Sequence, residues 1–262
     1  MYTTNSANEY PRDYARRGRI GVSTPQANPT VEPEMALLLP SNINMLATRL
    51  TSKNEPRQRF IDYFEQLTTS LESFDTLKLD AYAFGCTASS YLIDEQTETD
   101  TVDALEQRFE CKVVTAASAI QEALQFLGAN KIALACPYPQ WLLDDAYRYW
   151  ASKGYDIALG TSVQPDTVDT RSIYELRGGD AAAKIGPLFE QVEADVYVIT
   201  GTGMPGLQAI IDLQQALGKP VITSNLCTAW ACLRRTGIDF NDRAPDARFP
   251  LLSGWQSGLS RL

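Results

Sequence analysis

Short apolar runs alternate with amphipathic stretches of about ten or more residues along most of this chain, and that alternation narrows the folds open to it. Residues 19–23 read as a first strand, closed by the turn formers Pro25, Asn28 and Pro29. Residues 79–84, 112–115, 131–135, 195–200 and 220–223 read as further strands. Between them, residues 30–39 predict a helix with Glu32 and Glu34 in its first turn. Residues 56–71 predict another, with Phe60, Ile61, Phe64 and Leu67 on one face, and residues 119–127 a third that Gly128 stops. Strands joined through helices form βαβ units, so the expected architecture is α/β, with parallel sheets covered by helices on both faces.

The pattern also repeats. Val113-Val114-Thr115-Ala116-Ala117 and Val221-Ile222-Thr223-Ser224-Asn225 each open a helix, and the segments 80–90 and 195–206 precede them in the same order. Two pseudo-symmetric lobes follow, with one site in the cleft between them. The expected division is an arm at residues 1–18, a first lobe from 19–115 together with 224–262, and a second lobe from 116–223.

Histidine is absent. Without imidazole there is no Ser-His-Asp triad, no Cys-His dyad and no histidine-based zinc or iron centre. Proton transfer would rest on Cys, Tyr, Lys, Asp or Glu, each needing a shifted pKa or an enforced geometry. Lys and Arg number 23 against 32 Asp and Glu, a net charge of −9, which argues against nucleic acid or an anionic membrane as partner. The five cysteines include no C-x-x-C pair, and neither an apolar leader at residues 1–19 nor an apolar run of about eighteen residues is present, so a cytoplasmic location is expected.

In open α/β sheets, ligands bind beyond the carboxyl ends of the strands. The small and polar clusters at Pro25 to Asn28, Gly85 to Ser90, Pro137-Tyr138, Gly201 to Gly203 and Ser224-Asn225 all fall there. Gly201 to Gly206 has the spacing G-x-G-x-x-G, but Pro205 interrupts it and the next strand ends in Ser224-Asn225 rather than in a ribose-binding acid. What remains is a glycine-rich turn whose backbone N–H groups could hold a carboxylate or phosphate. Cys86 sits in a similar turn, where a helix N-terminus would lower the thiol pKa. Position alone does not separate it from an inert buried cysteine, because Cys111, Cys136 and Cys227 also lie near element ends, with Cys232 inside a helical pattern.

Taken in order, Arg19-Ile20-Gly21 with Pro25-Gln26-Ala27-Asn28, then Gly85-Cys86-Thr87, Pro137-Tyr138 and Gly201-Thr202-Gly203-Met204-Pro205 resemble the maleate isomerase and arylmalonate decarboxylase branch of the aspartate/glutamate racemase superfamily. The resemblance spans residues 19–237. It implies two pseudo-symmetric lobes with an interlobe site that uses neither a metal nor an organic cofactor. Racemases of this kind carry one cysteine in each lobe; here Cys86 takes the first-lobe place and Gly201 stands in the second. The isomerases carry both thiols, whereas the decarboxylase has its thiol in the second lobe and glycine in the first, the mirror of this chain.

By the same resemblance, Cys86 is a proton donor or nucleophile. Thr87, Tyr138 and the N–H groups of Thr202 and Gly203, in the turn that starts at Gly201, form an oxyanion hole, and Asn28 holds a second carboxylate. The isomerases' further asparagine has no counterpart in residues 161–170. The expected activity is cofactor-independent decarboxylation of a small malonate-type dicarboxylic acid, through an enediolate protonated by one cysteine. The alternatives are a maleate-type cis-trans isomerase with Cys86 as nucleophile, and a non-catalytic protein that binds a small dicarboxylate. Whether the chain forms a homo-oligomer stays open, and residues 50–77 and 239–262 carry no functional signal.

Overall fold

The computed structural model describes residues 13–238. Most of the expected arm, and the part of the first lobe beyond residue 238, lie outside the described residues. The chain opens with β1 (Gly18–Pro25), α1 (Val31–Leu38), β2 (Ile43–Leu50), α2 (Pro56–Glu65), α3 (Leu67–Glu72), β3 (Ala81–Phe84), α4 (Thr87–Ser90), α5 (Glu95–Phe109) and β4 (Lys112–Thr115). These strands form one parallel sheet in the order β2-β1-β3-β4. Next come α6 (Ala116–Phe126), β5 (Lys131–Cys136), α7 (Gln140–Ser152), β6 (Asp156–Ser162), a 3-10 helix (Thr170–Glu175), α8 (Gly178–Phe189), β7 (Val196–Ile199), α9 (Leu207–Leu217), β8 (Val221–Thr223) and α10 (Ser224–Thr236). The second sheet, β6-β5-β7-β8, is also parallel and has the same order, so the repeat in the sequence is a repeat in the topology.

Parallel strands covered on both faces need continuous apolar sequence, and the inner strands supply it: every residue of β3 and β7 is buried, as is all of β5 after Lys131. After β8 the chain crosses back, and α10, buried from Ser224 to Leu233, packs against α1, α6, β3 and β4. The first strand starts at Gly18, within the expected arm.

Two elements escape the periodicity argument. The edge strand β2 pairs only with β1, and its burial is mixed, so its sequence INMLATRL interleaves polar and apolar residues with no clean period. Helix α5 buries only Leu105, which leaves no apolar stripe to detect, although Asp94 caps it by accepting from the Thr97 N–H at 2.9 Å. The helix expected over residues 56–71 divides at Gln66 into α2 and α3. Helix α6 begins earlier than expected because Thr115 and Ser118 form a reciprocal capping box.

Leu134, in the middle of β5, is fully buried, whereas Val168 is 88% exposed. Leu134→Ala should therefore lower stability by about 2–5 kcal/mol in urea unfolding. Val168→Ala should stay within about 0.5 kcal/mol of the parent.

Candidate active site

Four strand ends, two from each sheet, meet at one cavity. Asn28 follows β1, Cys86 and Thr87 follow β3, Tyr138 follows β5, and Gly201, Thr202 and Gly203 follow β7; all seven line it. Thus the structure gathers all seven residues given a site role from the sequence around one space, while Ser224 and Asn225, just after β8, stand behind it. It adds residues that sequence reasoning missed: Arg59, Phe60 and Tyr63 from α2, and Thr170, Arg171, Ile173 and Tyr174 from the 3-10 helix. A signal for Arg59 existed. It stands four residues before Tyr63 and directly before Phe60, on the buried side of α2, where an arginine is out of place unless something needs its charge.

Each turn is fastened by local bonds. Asn28 Oδ1 accepts from the N–H groups of Thr30 at 2.9 Å and Val31 at 3.3 Å, starting α1, while its Nδ2 donates to Thr202 Oγ1 at 3.2 Å. Thr202 Oγ1 donates to the Gly85 carbonyl at 2.8 Å, and Thr30 Oγ1 to the Gly203 carbonyl at 2.8 Å. These bonds tie the turn after β7 to the turns after β1 and β3. Ser224 Oγ accepts from Thr87 Oγ1 at 2.9 Å and from the Gly201 N–H at 3.0 Å, so both of those donors already have partners. The N–H groups of Thr202 and Gly203 donate to no group among the described residues.

The N-terminus of α9, which the glycine-rich turn offers to an anion, is filled from within the protein. Glu34 of α1, 6% exposed, accepts through Oε1 from the Gly206 N–H at 2.6 Å and the Leu207 N–H at 3.2 Å. Its Oε2 accepts from Asn225 Nδ2 at 2.7 Å. The group held at this motif is therefore the chain's own Glu34 carboxyl, and an external ligand is left with the turn between Gly201 and Gly203. Burial raises the Glu34 pKa in spite of these three donors.

Cys86 caps the short helix α4, with Ser89 Oγ 3.3 Å from its sulfur. The expected lowering of its pKa is reversed. Loss of solvent pushes the thiol up, outweighing hydrogen bonds from the Ser89 side chain and the N–H groups of Ser89 and Ala88, and the positive charge of Arg59. The resting group is a neutral S–H whose conjugate thiolate is nonetheless provided with donors. Burial also raises Tyr138 well above its ordinary range and moves Tyr63 to about 12, so both phenols remain O–H donors at neutral pH.

The place in the second lobe that matches Cys86 cannot take a thiol on this backbone. Gly201 has φ +96°, and a Cβ there would lie 2.8 Å from the Pro137 ring. All five cysteines are buried, and Cys86 is the one that lines this cavity.

Two outcomes follow from these contacts. Glu34→Gln puts an amide N–H₂ among groups that all donate, and should lower stability by about 1–3 kcal/mol in thermal or urea unfolding. Because the Cys86 pKa is raised, its thiolate fraction is negligible at pH 7 and grows only as pH climbs past the usual thiol value of about 8.5. Alkylation of Cys86 by iodoacetamide, followed by peptide mass mapping, should accordingly be slow at neutral pH and still accelerating above pH about 9.

A family model described as arylmalonate decarboxylase matches residues 20–248. A curated maleate isomerase from Geobacillus stearothermophilus is 25% identical over 255 residues, covering 92% of this chain and 99% of that protein. Among solved structures, a cysteine-to-serine mutant of the Nocardia farcinica maleate cis-trans isomerase, carrying a covalently bound succinylcysteine intermediate, superposes with a TM-score of 0.77 at 20% identity, over 84% of this chain and 93% of that one. Arylmalonate decarboxylase superposes with a TM-score of 0.71 at 16% identity, over 93% and 100% of the two chains.

Proposed function

The chain belongs to the arylmalonate decarboxylase family, and from that premise we propose that it decarboxylates a small malonate-type dicarboxylic acid, with Cys86 as the proton donor. At the coarser level its activity is of the maleate isomerase or arylmalonate decarboxylase type. One observation carries the finer reading: a single buried, protonated thiol lines the cavity, and its counterpart position is a glycine with no room for a side chain. Delivery of one proton to a flat carbon from one side requires no second thiol.

In this reading one carboxylate of the substrate sits at the free N–H groups of Thr202 and Gly203, with the Tyr138 hydroxyl nearby and the second Asn28 amide hydrogen available. The bond to the other carboxylate breaks, carbon dioxide leaves, and the electron pair moves into the retained carboxylate as an enediolate. Fixed donors in a cavity with little water stabilise that charge. The S–H bond of Cys86 then breaks as its proton passes to the carbon. The thiolate left behind is held by Ser89 and the α4 N–H groups until solvent returns a proton.

The similarity to maleate isomerases favours a second reading. There the Cys86 thiolate adds to a cis double bond, the electron pair enters the neighbouring carboxylate, the resulting single bond rotates, and elimination of the thiolate gives the trans acid. The succinylcysteine trapped in the Nocardia farcinica enzyme supports such an adduct for that protein.

The two readings need opposite forms of one thiol, so pH separates them. An acid works while protonated: kcat/KM should hold through neutrality and fall as pH rises through the elevated Cys86 pKa. A nucleophile would give a rate that rises over the same range. The purified chain should release carbon dioxide from a panel of malonates and form no fumarate from maleate, and Cys86→Ala should lose about 10²-fold or more of the activity. Fumarate formation with a rising pH profile would favour isomerisation, and ligand-induced stabilisation without turnover would favour a binding protein.

A further inference from the structure

Arg59 has no role in the chemistry above, yet its charge is buried. Its side chain is 6% exposed, and it lines the same cavity as Cys86. A guanidinium presents several N–H donors in a rigid fork that matches a carboxylate in two bonds. Among the described residues this one makes a single side-chain hydrogen bond, from Nη2 to the neutral Thr170 hydroxyl at 2.7 Å. Its Nη2 also forms a long ion pair with Asp169 Oδ1 at 3.8 Å, beyond hydrogen-bond distance.

That carboxylate is already engaged. Asp169 accepts from Arg171 Nε at 2.9 and 3.0 Å, from Arg171 Nη2 at 2.8 Å and from the Arg171 N–H at 2.9 Å, and the pair stands half-exposed at the rim. A buried cation with its fork largely unmatched is costly unless an anion completes it. No acidic side chain lines the cavity among the described residues. Arg59 lines the cavity together with Cys86, Tyr63 and Tyr174.

We propose that Arg59 receives an anionic group of the substrate that neither forms nor breaks a bond, so the acid this site accepts carries a carboxylate distal to the carbon that Cys86 acts on. The leaving carboxylate is excluded as its partner, because a matched guanidinium would hold that group in its charged ground state and oppose departure of neutral carbon dioxide. The inference rests on the reading that the cavity takes a small carboxylic acid, and it applies to either reaction: in an isomerase the group is the far carboxylate of the alkene diacid, and in a decarboxylase it narrows the malonate-type acid to one whose side chain bears a third carboxylate.

The test measures binding with unreactive ligands. Calorimetry on the full chain should show succinate binding at least about tenfold more tightly than succinamate, its half-amide. Arg59→Gln should bring succinate to the succinamate level while leaving succinamate within about twofold. Arg59→Lys, which keeps the charge and loses the fork, should fall between. Equal weakening of both ligands in Arg59→Gln, no preference for succinate in the parent, or failure of the parent to bind either acid would overturn the assignment. Thermal unfolding checks that the variants are folded. If Arg59→Gln is not, the parent and Arg59→Lys decide, with the succinate preference required to shrink in the lysine variant and in raised salt. Preference for succinate without turnover of any panel acid would sink the proposed reaction and leave this subsite standing; turnover without the preference would do the reverse.

Discussion

The Glu34 carboxylate holds the site together. It extends from a helix of the first sheet to the first turn of α9 in the second, and also receives the Asn225 amide. Asn225 in turn donates to the Thr202 carbonyl at 3.0 Å, so the glycine-rich turn is fixed on both sides. With the Thr202 and Gly203 carbonyls bonded to protein, the donors left over at this turn are the N–H groups of those two residues. A carboxylate buried with three donors would be an expensive way to join two elements if it only added stability. Here it also determines which backbone amides stay open to a ligand.

Desolvation then sets the protonation state of the thiol. A sulfur at the start of a helix suggests a thiolate, but the turn is buried deeply enough that loss of water outweighs the helix N–H groups and a nearby arginine. The outcome is an acid in the resting state whose conjugate base still has donors around it, a suitable condition for giving up a proton. The tyrosines around the cavity are kept neutral by the same burial, so Tyr138 can donate without competing as a base. The absence of histidine fits this arrangement, since no group that titrates near neutrality is required.

The readable part of the fold was the part with a clear physical signature. Continuous apolar strands β3, β5 and β7 announced a parallel sheet, and the turns after β1, β3, β5 and β7 contain the seven residues given a site role from the sequence. The elements that escaped lack such a signature: β2 lies at an edge with mixed burial, and α5 buries one side chain. Arg59 and the Thr170 to Tyr174 segment were missed for another reason. They come from a helix and a 3-10 turn rather than from strand ends, and the one local mark, the apolar neighbours of Arg59 on α2, points to burial without saying which cavity the side chain reaches.

The sequence by itself determined the alternation of strands and helices, the internal repeat, the lack of imidazole chemistry and, through the family resemblance, the correspondence of Cys86 with Gly201. Those are properties of residue type and order, and they survive any packing. Tertiary structure decided what depends on distance and water: that Glu34 occupies the α9 N-terminus, that Ser224 takes the Thr87 hydroxyl and the Gly201 N–H, that the Cys86 thiol stays protonated, and that Arg59 reaches the same cavity. Each of these joins residues far apart in the chain or depends on how much solvent the closed fold admits, and neither quantity exists until the two sheets have come together.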